Sequence, residues 1–214
     1  MLLLTLSLAA SRRALLCGGA LAATAQAWNA RALEPTAADR LYAAVQERRP
    51  TDWREAERPQ IDALIDELER LHAPWKQSEL RGRWRLAYLQ PGPDGAGVDR
   101  RIPFPELPWN NSYQVFGDQT VTNVGELAGP NLVVRVGGKL TEEDFTITTA
   151  PKRFRADITG GGLCVGGDVD TGGICAPLPI TGVGVFDGVY LDERLRIGQN
   201  LNGGGARIVQ VRVK

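Results

Sequence analysis

The chain has 214 residues, with 25 Lys plus Arg, 25 Asp plus Glu and one His, so its formal net charge is zero. That balance argues against a dedicated nucleic-acid binder, which carries a basic footprint. A single histidine excludes metal and catalytic motifs that need two, such as HExxH. Three cysteines without C-x-x-C exclude a zinc ribbon and a thioredoxin-like centre.

Residues 1–32 contain no Asp or Glu but include Arg12, Arg13 and Arg31. A weakly apolar run follows the Arg pair, and Ala30-Arg-Ala32 has the small-residue form of a cleavage site. The context Ser11-Arg-Arg-Ala-Leu-Leu resembles a twin-arginine signal. A Sec-type signal and an uncleaved anchor are the alternatives, since Leu2–Leu8 adds a second apolar stretch. The run is too short and too rich in Gly and Ala for a span of ~20 apolar residues. Cleavage after Ala32 removes three Arg and no acid, leaving residues 33–214 with a net charge of −3. Cys17 leaves with the signal. Cys164 and Cys175 remain, and an even count in an exported chain points to a disulfide. The alternative is two thiols in neighbouring strands.

Thr36-Ala-Ala-Asp39 opens a helix with a capping pattern in which Asp replaces the usual Glu. Leu41, Ala44 and Val45 follow at helical spacing, and Pro50 ends the segment. A second helix starts at Pro59. Ile61, Leu64, Ile65, Leu68 and Leu71 repeat along one face, and Pro74 stops it. Together, residues 36–73 form a helical front that needs a sheet to pack on.

From Gly82 the period changes to two. Trp84, Leu86 and Tyr88 alternate with Arg83, Arg85 and Ala87, as in a half-buried strand. Residues 90–111 read as an irregular, Pro-rich loop. Further strands are expected at 112–117, 119–127, 131–137, 143–149 and 152–158. In the fourth of these Phe145 and Ile147 share a face; in the fifth Phe154, Ala156 and Ile158 do. Residues 160–188 read as Gly-rich loops between short strands. Closing strands follow at 189–197 and 207–213, the second with Val209, Val211 and Val213 on one face. Many short strands behind two helices predict a mainly β (α+β) domain over 33–214. Its sheet, residues 80–214, would be an antiparallel barrel or a highly curved sheet.

No chemical motif emerges from this frame. Gly160-Gly-Gly162 and Gly203-Gly-Gly205 lack the spacing of a phosphate loop. His72 ends a helix, where a cation is favourable, and no G-x-S-x-G supplies it with a nucleophile. Asp168, Asp170, Asp187, Asp192 and Glu193 do not have EF-hand spacing. Glu142, Glu143 and Asp144 are consecutive and suit a hairpin turn. No catalytic set, metal site or cofactor is expected. The aromatic residues are the remaining candidates, because alternation aims several of them inward, where a small barrel holds packed side chains or one small ligand.

Three segments carry a family resemblance. Ile61-Asp-Ala-Leu-Ile-Asp-Glu-Leu-Glu leads to Leu80-Arg-Gly-Arg-Trp-Arg-Leu-Ala-Tyr88, an L-x-G-x-W-x-L-x-Y strand. Asn123-Val-Gly-Glu-Leu is a central-strand pattern. Tyr190-Leu-Asp-Glu-Arg-Leu-Arg-Ile197 precedes a Gly turn and Arg207-Ile-Val-Gln-Val. Over about 60–214 the chain resembles the plastid lipid-associated proteins, or plastid fibrillins. Gly198, the Ile208-Val-Gln run and the Cys-containing insert at 160–175 depart from the family pattern.

The resemblance implies a lipocalin-like barrel in the chloroplast. It also implies non-enzymatic binding or organisation of prenyl lipids (carotenoids, quinones or tocopherols). With the signal, it points to the thylakoid lumen, the plastoglobule and the stromal thylakoid face being alternatives. Ahead of Arg12 a full transit peptide is not read, so either the start is truncated or residues 1–10 are a remnant. The expected ligand-lining residues are Trp84, Leu86, Tyr88, Phe116, Phe145, Ile147, Phe154 and Tyr190. Gly82, Asp192, Leu195 and Arg196 are expected to be structural, Asp192 and Arg196 pairing to fix the closing hairpin. The competing reading is a filled barrel acting as a scaffold for a photosynthetic complex, with Pro103-Phe-Pro-Glu-Leu-Pro-Trp109 as its anchor. A prenyl-lipid enzyme is a third.

Overall fold

Helix α1 spans Ala37–Val45 and opens as its sequence dictates. The Thr36 hydroxyl accepts from the Asp39 N–H at 3.1 Å, and the Asp39 carboxylate accepts from the Thr36 N–H at 3.2 Å. Asp in place of Glu therefore closes the capping box. The computed structural model describes residues 34–93, 107, 109–166, 173–202 and 204–213. The targeting segment, Asp168, Asp170, Gly203 and most of the Pro-rich anchor lie outside the described residues.

After a 3-10 turn at Pro50–Asp52, α2 runs Arg58–Glu69 and buries Ile61, Leu64, Ile65 and Leu68. Leu71 departs from the expected stripe. The helix stops at Glu69, His72 adopts a left-handed backbone with φ of 44°, and Leu71 is left 60% exposed. His72 Nδ1 lies 3.1 Å from the Ala150 carbonyl oxygen. A one-turn helix α3, Gln77–Leu80, leads into the strands.

Nine strands follow: β1 (Gly82–Gln90), β2 (Ser112–Phe116), β3 (Thr120–Glu126), β4 (Leu132–Glu142), β5 (Lys152–Val165), β6 (Ile174–Leu178), β7 (Gly182–Leu191), β8 (Leu195–Asn200) and β9 (Arg207–Val213). They form one antiparallel sheet in the order β4-β3-β2-β1-β9-β8-β7-β5-β6, and β4 also pairs with β5. Eight strands thus close into a ring. β6 lies outside it, on the stretch of β5 edge beyond β7. The mainly β reading with a helical front holds.

Three expected elements do not hold. Residues 143–149 are a turn, in which Asp144 accepts from the Thr146 N–H and hydroxyl, so the chain is diverted before a strand can pair. The Gly-rich stretch 160–188 is not mostly loop: it carries the end of β5, all of β6 and most of β7. The single strand at 189–197 is divided by a turn at 192–194. There the Asp192 carboxylate accepts from the N–H groups of Arg194 and Leu195, both at 2.7 Å.

A bulge in β1 decides which residues enter the ring. Leu86 pairs with Gln210 and Tyr88 with Val209, so the register shifts at Ala87. Trp84 and Leu86 face inward, whereas Ala87 and Tyr88 face outward. The outer face of β1, β7, β8 and β9 carries Ala87, Tyr88, Val189, Leu195, Ile197, Val209 and Val211, packed against Leu41, Val45, Ile61, Ile65 and Leu68 of the helices. Burying each of these larger side chains contributes roughly 1.5–3 kcal/mol before entropy, which holds two helices too short to be stable alone.

Polar ties fix the docking. Trp53 Nε1 donates to the Ala87 carbonyl at 2.9 Å, Tyr88 donates to Asp62 at 2.7 Å, and Arg207 reaches Glu69 at 2.6 Å. Arg194 donates to Asp39 at 2.7 Å. That guanidinium, with the Thr36 cap, holds the Asp39 carboxyl down to about 2.

Gly82, with φ of 115°, starts β1 in a conformation that glycine favours. Gly188 is required for space: a Cβ there would lie 2.1 Å from the Trp75 indole. Gly188→Ala is expected to cost about 1–3 kcal/mol by overpacking, read as a lowered urea midpoint. An unchanged midpoint would show that Trp75 is free to move aside.

Candidate functional site within the ring

Inward residues of the ring divide into two halves. At the end holding the start of β1, Trp84, Phe116, Val121, Leu140, Phe154 and Leu191 form a buried cluster joined by Trp75 and Leu80. Phe154 stacks on Phe186 with ring centres 5.4 Å apart and meets Trp75 at 5.6 Å. Trp84 Nε1 donates to the Leu80 carbonyl at 2.8 Å, so its one polar atom is satisfied. Lys152 and Glu142 form a buried ion pair, and Lys152 also donates to the Ile147 carbonyl. This half is packed core.

The other end is hollow. A cavity of about 280 Å³ is lined by Leu86, Ser112, Gln114, Asn123, Gly125, Val134, Val136, Ile208 and Gln210, together with Tyr113, Val124 and Leu127. Alternation explains the lining: Leu86 pairs with Gln210, Gln114 with Asn123, and Gly125 with Val134. Each pair points to the same side of the sheet. A Cβ at Gly125 would meet nothing within 4 Å, so this position leaves open space.

Arg196 stands between the halves. It enters from β8, is 1% exposed, and pairs in register with Gln210. Its Nη1 donates to Gln114 Oε1 at 2.9 Å and to Gln210 Oε1. The guanidinium lies over the rings of Phe116, at 4.6 Å, and Phe186, at 5.2 Å. Nε is buried without a hydrogen-bond partner among the described residues. Desolvation pushes the group down to about 9, so it remains a cation at neutral pH.

The structure separates the expected lining residues. Leu86 lines the cavity. Trp84, Phe116 and Phe154 are inside the ring but in its filled half. Tyr88 and Tyr190 are outside it, against the helices, because the bulges at Leu86/Tyr88 and Gly188/Tyr190 reverse the pattern. Phe145 and Ile147 sit on the 143–149 turn, 76% and 37% exposed, and do not line this cavity.

The expected pairing of Asp192 with Arg196 does not occur: Asp192 caps the β7–β8 turn and accepts from the Tyr190 hydroxyl at 3.1 Å, while Arg196 points inward. Leu195 is buried under the helices. Asp187 pairs with Arg153 at 2.9 Å, and no cluster of potential metal ligands occurs among the described residues. Cys164 and Cys175 are joined by a disulfide across the β5–β6 pairing.

Sequence reasoning missed Gln114, Val134, Val136, Ile208 and Gln210. The β9 alternation contained the signal for two of them, since Val209 and Val211 face the helices and Ile208 and Gln210 must face the other way. No family model matches the chain, and no curated protein or solved structure matches it.

Proposed function

We propose that the chain is a non-enzymatic lipid-binding protein whose ring works as a lipocalin-like barrel sheltering a small apolar ligand. The observation that carries this reading is the largely apolar cavity inside one end of a closed ring. Eight strands leave room for side chains or one small ligand. Here one half takes the first option and the other leaves space. Transfer of apolar surface from water at about 25 cal/mol per Å² supplies the affinity. The resemblance to plastid lipid-associated proteins supports a prenyl-lipid ligand and a thylakoid setting, with the lumen first.

Mass spectrometry of organic extracts from natively purified protein tests the reading. A stoichiometric lipid is expected in the wild type and is expected to be lost in Val136→Trp, which fills the cavity. A folded wild type free of lipid would overturn it. The second reading, a scaffold, is favoured by Trp109, 56% exposed at the end of the Pro-rich stretch. Loss of a co-purifying protein on deleting residues 103–109, with lipid content unchanged, would support that alternative.

A further inference from the structure

A buried cation with no counter-ion among the described residues is the least ordinary feature of the ring. Arg196 is fully enclosed, its partners among the described residues are two neutral amides and two aromatic faces, and its Nε has no acceptor among them. Guanidinium remains charged at neutral pH, and leaving such a charge unpaired in an interior is costly. The buried pair of Lys152 and Glu142 in the same ring shows the usual solution. The amides that hold Arg196, those of Gln114 and Gln210, also line the cavity. The unpaired charge and the apolar space therefore meet at the same two side chains.

The geometry points to an acidic lipid as the ligand: a single apolar chain in the cavity, against Leu86, Val134, Val136 and Ile208, with its carboxylate directed past Gln114 and Gln210 to Arg196. The inference rests on the reading of the ring as a lipid binder and names a different chemistry from the neutral prenyl lipids that the resemblance suggests. A carboxylate fits because it is a flat, two-oxygen acceptor matched to a guanidinium edge. It also brings one negative charge to one positive charge, whereas a phosphate monoester brings a second charge with nothing to meet it.

Calorimetric titration of the full chain with dodecanoic acid and with dodecanol, which share a chain and differ in charge, tests the inference. The acid is expected to bind the wild type at least tenfold tighter than the alcohol. Arg196→Met is expected to remove that preference while leaving dodecanol binding within about twofold. Carbon-13 spectroscopy of carboxyl-labelled dodecanoic acid is expected to show a bound carboxyl that titrates at lower pH than the free acid. Equal binding of acid and alcohol to the wild type would overturn the carboxylate while leaving lipid binding standing, and needs no variant to fold. A preference that survives in Arg196→Met would overturn the role of Arg196. Binding of neither compound, with lipid-free native protein, would overturn both readings.

Discussion

Phe154→Ala is expected to destabilise the protein by about 3–5 kcal/mol, the range for truncating a fully buried aromatic side chain. Phe154 has no exposed surface, stacks on Phe186 and touches Trp75, so its removal opens a void between those two rings that the closed sheet cannot collapse to fill. The loss is read from urea denaturation at constant m-value. Lipid retention should fall only as the folded fraction falls. Leu86→Ala makes the contrast: Leu86 is half-buried and lines the cavity, so its effect should be on ligand affinity more than on stability. A loss below about 1 kcal/mol for Phe154→Ala would mean that the filled half is loosely packed, and the division of the ring would fail.

The second large effect has the opposite sign. Replacing Arg196 with Met and Gln210 with Leu together is expected to raise the stability of the lipid-free protein by about 1–4 kcal/mol, as when buried ionic groups give way to apolar ones of similar size. Changing both avoids leaving the Gln210 carbonyl without its donor. The pH dependence follows from burial. Burial pushes the folded-state value for Arg196 down to about 9, well below that of the free group. The unfolded chain therefore binds more protons between those values, and wild-type stability from this group rises with pH across that window. The advantage of the double variant should be full below pH 9 and narrow above it. A loss of 2 kcal/mol or more would show that Arg196 supports the ring, with no cost carried for a ligand.

The helical front was legible because its determinants are local. The Thr36–Asp39 box and the 61–68 stripe act within one or two turns of chain, and they form as read. Strand positions were legible wherever apolar and polar residues alternate, as at 112–116 and 207–213. What lay hidden depended on partners far away in sequence. The bulge at Ala87 exists because β1 must match β9, and no neighbour within 82–90 announces it. It sends Tyr88 out and keeps Leu86 in. In β7 the inward positions Gly182, Gly184 and Gly188 carry no side chain, so before the bulge Phe186 alone marks the inward face and the alternation is weak. Arg196 was misplaced for a related reason. A charge between Leu195 and Ile197 reads as the exposed side of a strand, but here the apolar side faces the helices and the charged side faces the ring interior.

The pairing of β1 with β9 sets Arg83 beside Val213, neighbours in the sheet that are far apart in sequence. It has a consequence for how the protein is made. On a chain still emerging from the ribosome, β1 has β2 on one side and an empty edge on the other, and β8 likewise lacks its second neighbour. The helices lack Val209 and Val211, part of the surface they cover. Closure waits for residues 207–213, so the ring is completed only once that strand has been made, with the slow kinetics of distant contacts. During that interval the nascent chain exposes two sheet edges that other chains could pair with.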